Sequence, residues 1–332
     1  MTPIAIAIDP PPASSDRIRD GAVLTGGKRM RPTPATTSHP RLAAVNVALA
    51  VVRSMRPRQW VKNVLVVAAP LAAGDIGQPG VLGATLIAFV SFCLASSAVY
   101  LVNDCVDREA DRVHPRKRFR PIAAGQLSVG LAVAVAICLV VVAAALSYVA
   151  SWELLVLLLA YVAIQVLYSA WLKHEPVIDL MLVAAGFLMR AVAGGLAASI
   201  EISDWFLLVA GFGSLFMVAG KRYSELHTLG SEAGTRRSLV RYTASYLRFV
   251  WSTAAGVTIA GYSLWAFSNS GGGALPWLEL SIIPFVGALL RYAVDIDAGT
   301  AAEPEDIVWR DRVLQGIGVL WLVVLTLGIL DV

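Results

Sequence analysis

Charge is what this chain has least of. Only 15% of its 332 residues are Asp, Glu, Lys or Arg, against roughly a quarter in soluble domains. With 57% apolar residues and a mean hydropathy of +0.70, that deficit excludes an ordinary soluble globular enzyme. Cysteine and histidine are equally scarce, at three and four residues. Cys93, Cys105 and Cys138 lie in or beside apolar runs without ligand spacing, which excludes a disulfide framework and a thiolate metal centre. No apolar leader precedes the first basic cluster, so no cleaved secretory signal is expected. No internal repeat is evident.

Long apolar runs fill the space that charge leaves. Nine are long enough to cross a bilayer, at about 61–75, 81–102, 128–149, 153–172, 176–199, 203–220, 244–267, 276–294 and 312–331. The first is the weakest, being short and interrupted by Pro70. Runs of this length suit helices, because barrel strands are about half as long. The fold class predicted is all-α: a polytopic membrane bundle of nine transmembrane helices.

Another absence orients it. Of 27 Lys and Arg residues, none lies in the connections near 76–80, 150–152, 200–202 and 268–275. Ten fall between Arg17 and Lys62, six within 108–120, five within 221–241, and Lys173, Arg291, Arg310 and Arg312 edge the remaining inner connections. The positive-inside rule then predicts a cytoplasmic amino terminus and a periplasmic carboxyl terminus, with the basic loops in the cytoplasm. The net charge of +4 is thereby explained as topology and lipid contact, with no nucleic-acid partner. Residues 1–42, with Pro10-Pro11-Pro12, Ser14-Ser15 and Gly26-Gly27, cannot build a core and are expected to form a disordered tail. Residues 43–332 form one transmembrane catalytic domain on this reading.

The acidic residues that remain are concentrated. At roughly 100° per residue, Asn103, Asp107, Asp111 and Asp104 fall near 0°, 40°, 80° and 100° on a continuous helix. Three carboxylates and an amide on one quarter of a helix repel unless a cation lies between them. Oxygen-only donors suit Mg²⁺, and Mg²⁺ suits a phosphate-bearing substrate. Asn103, Asp104, Asp107 and Asp111 are the expected metal ligands. The plainer alternative is a solvated helix end.

Basic residues follow immediately. Lys117, Arg118 and Arg120 sit in a loop stiffened by Pro115 and Pro121, placed to hold phosphate oxygens. A second cluster, Lys221, Arg222, Tyr223 and Glu225, follows the sixth run; Lys221, Arg222 and Glu225 share a face, and Tyr223 lies with His227 on another. Ahead of the first run, Arg56, Arg58 and Lys62 surround Trp60, which reads as an interfacial anchor. Lys62 and Asn63 are assigned to the mouth of the site. Asp104, Asp107, Asp111, Lys62 and Glu225 are the expected catalytic residues; Asn63, Asn103, Lys117, Arg118, Arg120, Lys221, Arg222 and Tyr223 are the expected substrate ligands. Within the membrane, Asp179 is expected to join the polar cavity. Arg190, about 16 Å further along the same helix, is expected to snorkel toward Glu201 or Asp204.

The motif Asn-Asp-x-x-Asp-x-x-x-Asp at 103–111, with nine spans, resembles the UbiA superfamily of intramembrane prenyltransferases. Arg-Pro-Arg-Gln-Trp-Val-Lys-Asn at 56–63, His-Pro-x-Lys-Arg-Phe-Arg-Pro-Ile-Ala-Ala-Gly at 114–125 and Gly-Lys-Arg-Tyr-x-Glu-Leu-His at 220–227 resemble, within it, the decaprenyl-phosphate phosphoribosyltransferase family. The likeness covers about residues 45–330. It implies a multi-pass plasma-membrane enzyme with its site facing the cytoplasm and Mg²⁺ as cofactor. The implied reaction moves phosphoribose from 5-phosphoribosyl diphosphate to decaprenyl phosphate, in the supply of cell-wall arabinan. Superfamily members typically carry a second aspartate-rich motif; here Lys221-Arg222-Tyr223-Ser224-Glu225 stands instead, which fits a lipid that is the nucleophile. A prenyltransferase acting on a prenyl diphosphate and a membrane transporter are the alternatives, and a homo-oligomer stays open.

Overall fold

A computed structural model describes residues 40–229, 239, 241–270 and 275–330. All but the last three residues of the expected tail lie outside that range. Among the described residues there is no strand. The helices are α1 (Pro40–Met55), a 3₁₀ helix (Pro57–Val67), α2 (Ala68–Ala72), α3 (Pro79–Val106), α4 (Arg108–Val113), α5 (Val129–Ala150), α6 (Trp152–Ala170) and α7 (Ile178–Ala197). After them come α8 (Asp204–Leu229), α9 (Ala244–Ser268), α10 (Trp277–Asp297), α11 (Pro304–Arg310) and α12 (Arg312–Ile329).

Helix starts follow local chemistry. Ser128, Ser151 and Thr243 accept backbone N–H bonds from Leu131, Leu154 and Tyr246 at 3.3, 3.0 and 3.1 Å, the short polar caps that orphan amides require. Asp311 does the same for Val313 and Leu314 at 2.9 and 3.1 Å. Seven described helices are long and apolar enough to cross a membrane: α3, α5, α6, α7, α8, α10 and α12. Two of the nine expected spans are not among them. α9 has the length, at 25 residues, but its Ser, Thr, Gly and Tyr content lowers its apolarity.

The other is the run at 61–75, which is no α-helical span. It is the 3₁₀ helix, followed by the five residues of α2. Arg56, at φ 53 and ψ 60, turns α1 into it just before Pro57. A left-handed conformation in a non-glycine residue is costly. The Arg56 side chain is held in return by Asp104 and by the Tyr100 ring, 4.9 Å from the guanidinium. A three-residue repeat keeps every third side chain on one face, and Trp60, Asn63, Val66 and Ala69 all turn inward. Trp60, half-buried, donates its indole N–H to Ser97 at 3.0 Å and so packs against α3. The segment descends α3 antiparallel, Arg56 beside Asp104 and Asn63 beside Cys93.

Among the described residues, the two largest core clusters share α7. Its first turns, at Leu180 and Ala184, pack with Phe216, Tyr223, Leu247, Tyr292 and Ile296 of α8, α9 and α10. Its last turns, at Ala193 and Ala197, pack with Val66, Phe92, Ala95, Leu158 and Tyr161. Gly194 makes this approach practicable: a Cβ there would stand 2.0 Å from the Val66 carbonyl oxygen.

Candidate active site

α3 has 28 residues and so extends about 42 Å, beyond the roughly 30 Å hydrocarbon thickness. Its last turn therefore emerges at a rim of the bundle, carrying Asn103 and Asp104. The helix breaks at Asp107, whose φ of −86° and ψ of 3° separate α3 from α4. That break divides the acidic face expected of a continuous helix. Asp104 and Asp111 are both buried and converge on one atom: the NH1 nitrogen of Arg120 donates to Asp104 at 3.1 Å and to Asp111 at 2.6 Å. Arg56 also donates to Asp104. Asp107 instead pairs with Lys173, from the connection after α6. Among the described residues, no three His, Cys, Asp or Glu side chains stand close enough to hold one metal ion together.

Opposed charge explains the convergence. Two buried carboxylates repel, and a guanidinium between them removes the repulsion. The three cations are only partly covered: the Arg56, Arg120 and Lys173 side chains are 27%, 25% and 15% exposed. Arg118 is exposed and stacks over Phe119, with its guanidinium 4.8 Å from the ring centre. Lys117 is partly buried at the start of a 3₁₀ turn. His114 fixes that turn, its Nδ1 accepting the backbone N–H groups of Arg116 and Lys117 at 3.2 and 3.3 Å. Burial and the neighbouring Lys117 hold the imidazole below its ordinary pKa of 6.5, which favours the neutral acceptor.

The second cluster separates into two faces of α8. On one, Arg222 grips Asp179 through two bonds, Nε–Oδ2 at 2.8 Å and NH2–Oδ1 at 3.1 Å. Its NH1 reaches Glu225 at 2.9 Å, and Tyr168 donates to Asp179 at 2.7 Å. Lys221 lies 3.8 Å from Glu225. Asp179 and Arg222 are essentially sealed, at 0% and 4% side-chain exposure. Arg222 is therefore closed to direct ligand contact, and its partner Glu225, at 19% side-chain exposure, is the more open of the two. Asp179 is set by an unusual start to α7: Val177, at φ 66, is the centre of a γ-turn in which Ile178 N–H bonds Pro176 O at 2.7 Å. Tyr242 secures that turn by accepting the Val177 N–H at 2.8 Å.

On the other face stands Tyr223, with His227 at 3.2 Å and Arg248 at 2.6 Å. Arg248 also pairs with Asp297 at 2.8 Å. Tyr223 thus stands with His227 on a face apart from Lys221, Arg222 and Glu225, as the helical angles predict.

Two further placements differ from expectation. Asn63 is fully buried below the rim, donating to Cys93 and Ser96 at 3.2 and 3.4 Å. Lys62, its neighbour, is partly buried on the 3₁₀ helix. Arg190 does not snorkel. It turns inward and donates to Asn63, Gly186 O and Tyr161 at 2.7, 2.6 and 2.7 Å. Lys173 and Arg56 were the residues sequence reasoning missed at the acidic rim; Lys173 showed only as a lone basic residue in a short inner connection, and Arg56 only as part of the basic patch around Trp60.

Known proteins place this architecture. The decaprenyl-phosphate phosphoribosyltransferase of Mycobacterium tuberculosis is 51% identical over 282 residues, covering 83% of this chain and 93% of the relative. That of Corynebacterium glutamicum is 48% identical over 292 residues, covering 86% and 88%. A UbiA homolog from Archaeoglobus fulgidus, solved bound to GPP and Mg²⁺, shares the fold at a TM-score of 0.64 and 17% identity over 85% of this chain and 99% of its own. Residues 64–309 match the UbiA prenyltransferase family, and this all-helical, multi-pass membrane chain belongs to it.

Proposed function

We propose that this protein transfers 5-phosphoribose from 5-phosphoribosyl diphosphate to decaprenyl phosphate, releasing diphosphate, as a step in cell-wall arabinan supply. The observation that carries the reading is the rim itself: carboxylates Asp104 and Asp111 converging on one cationic nitrogen, amid Arg56, Lys117, Arg118, Arg120 and Lys173. About half the residues are shared with phosphoribosyltransferases of that name over most of both chains, which supports the substrate pair.

The donor set fits Mg²⁺ in chemistry, being oxygen only, and in placement, since two carboxylates already share one cation. Asp104 and Asp111 would hold the ion, with Asp107 and Asn103 beside them on the same stretch. Bound there, Mg²⁺ would neutralise charge on the departing diphosphate. Arg120 and Arg56 share that charge from the carboxylate side, and Lys173 from the opposite connection. Lys117, Arg118 and Lys221 bind the remaining phosphate oxygens. Glu225, fixed by Arg222 and Lys221, accepts a ribose hydroxyl proton in a hydrogen bond. An oxygen of the lipid phosphate bonds to ribose C1 as the C1–diphosphate bond breaks, and the bonding pair leaves with diphosphate. The nucleophile is already ionised, so the site supplies orientation, not a general base. Direct displacement inverts the anomeric carbon.

The basic loops and this rim face the cytoplasm in our reading, in the plasma membrane, with the carboxyl terminus on the far side. Nine crossings result when α9 and the 3₁₀–α2 segment join the seven. Eleven 3₁₀ and five α residues extend about 30 Å together, enough for the hydrocarbon layer.

Purified full-length protein with Mg²⁺, decaprenyl phosphate and labelled 5-phosphoribosyl diphosphate should move label into the organic-extractable lipid. Chelation and Asp107→Ala should each abolish it. Label that stays in water with folded protein, or product formed from a prenyl diphosphate instead, refutes the assignment.

A further inference from the structure

The far face of α8 from Arg222 borders a groove the transferase reading does not use. It is open, about 570 Å³ in volume, and runs between α9 and α10. Its apolar wall is Trp251, Leu290, Ala293, Val294 and Ala298. On α10, Leu290, Ala293, Val294 and Asp297 follow the three- and four-residue spacing of one helix face, running from the rim along the outer side of the helix, where Leu290 and Val294 are each 59% exposed. Its mouth is polar and carries one charge of each sign, Arg248 and Asp297, which are 58% and 59% exposed and 2.8 Å apart. Both belong to helix ends at the rim: Arg248 lies one turn inside the start of α9, and Asp297 closes α10. That is headgroup depth for a spanning helix pair.

The guanidinium is held in place from beneath. Tyr223 accepts from Arg248 at 2.6 Å, and the guanidinium lies 5.6 Å from the centre of the Tyr223 ring. His227 in turn meets the Tyr223 hydroxyl at 3.2 Å, and the His227 and Tyr223 rings pack 4.9 Å apart. An anionic headgroup here would face the Asp297 carboxylate, and a cationic one would face Arg248. A headgroup bearing both charges satisfies both side chains.

We propose that this groove binds a zwitterionic phospholipid, its phosphate on Arg248, its ammonium on Asp297 and one acyl chain along Trp251, Ala293 and Val294. The site is separate from the rim carboxylates and rests on neither donor nor acceptor chemistry. Tyr223 and His227 position Arg248 and do not touch the transferred sugar.

Native mass spectrometry of the full chain, equilibrated with equal phosphatidylethanolamine and phosphatidylglycerol, tests it. The wild type should retain phosphatidylethanolamine over phosphatidylglycerol by about fivefold or more, on the order of 1 kcal/mol. Asp297→Asn removes the ammonium partner and should reverse the preference toward phosphatidylglycerol. Arg248→Gln should abolish retention of both. Ala293→Trp keeps both charges but fills the groove, and should expel phosphatidylethanolamine even if the charge variants fold poorly. Equal retention of the two lipids by the wild type overturns the proposal. So does phosphatidylethanolamine retention that Ala293→Trp leaves unchanged.

Discussion

Two charged clusters lie at the same rim, and they differ in how their cations are held. Around Asp104, Asp107 and Asp111, every cation arrives on a loop or helix end and stays partly open to solvent. Around Asp179, the partner is a helix residue gripping both carboxylate oxygens, with Tyr168 and Glu225 completing the shell. In pairs of the first kind the carboxylates of Asp104 and Asp111 are buried but the cations are not, so water or a ligand can reach Arg56, Arg120 and Lys173 from the open side. A sealed bidentate pair cannot be reached in this way, and breaking it strands a buried charge. The difference assigns ligand exchange to the rim cluster and positional rigidity to the second.

Substitutions should separate the two roles. Asp111→Ala removes a rim carboxylate and should reduce phosphoribosyl transfer about a thousandfold while leaving thermal unfolding nearly unchanged. Equal loss of stability would show that the rim is architecture too. Asp179→Ala strands Arg222 and should cost about 3–5 kcal/mol, read as a lowered unfolding midpoint in detergent, with the conservative Asp179→Asn losing less. Arg190 gives an intermediate case, a buried guanidinium with three neutral acceptors. Arg190→Leu leaves those acceptors unmatched and should cost about 1–3 kcal/mol, with transfer activity retained at low temperature.

The smallest effect concerns pH and bears on the rim alone. His114 is held below its ordinary pKa of 6.5 in the folded chain, so its contribution to the loop is present above that value. It is lost as pH falls through the lowered one. Protonated Nδ1 can no longer accept the Arg116 and Lys117 N–H groups. Tryptic cleavage within 114–120 should therefore accelerate as the medium is acidified. His114→Asn, which keeps an acceptor, should flatten that dependence. The Asp179 cluster should show no such change over the same interval.

Apolar runs made the α-helices legible: the stretch expected at 128–149 is Val129–Ala150, and that at 312–331 is Arg312–Ile329. The run at 61–75 was read from its length and apolarity, which do not distinguish a 3₁₀ path from an α-helix. Its buried residues Asn63 and Val66, with half-buried Trp60 before them and buried Ala69 after, recur every third position, which a 3₁₀ path keeps on one face. The acidic motif was legible as chemistry but not as geometry, since the helix breaks at Asp107 and that carboxylate pairs with Lys173, distant in sequence. Arg190 and Asp179 were visible as intramembrane charges. Their partners, Asn63 and Arg222, were not, because nothing in periodicity relates residues 127 or 43 positions apart.

The 3₁₀ segment has a mechanical consequence. Rewound as α-helix, its eleven residues would shorten by about 5 Å. Its upper end is tethered at Asp104, while Val66, at its foot, is wedged against Gly194. The coil therefore works as a taut strut of fixed length. Any change that relaxes it must either pull Arg56 away from the acidic rim or drag the floor of the bundle upward.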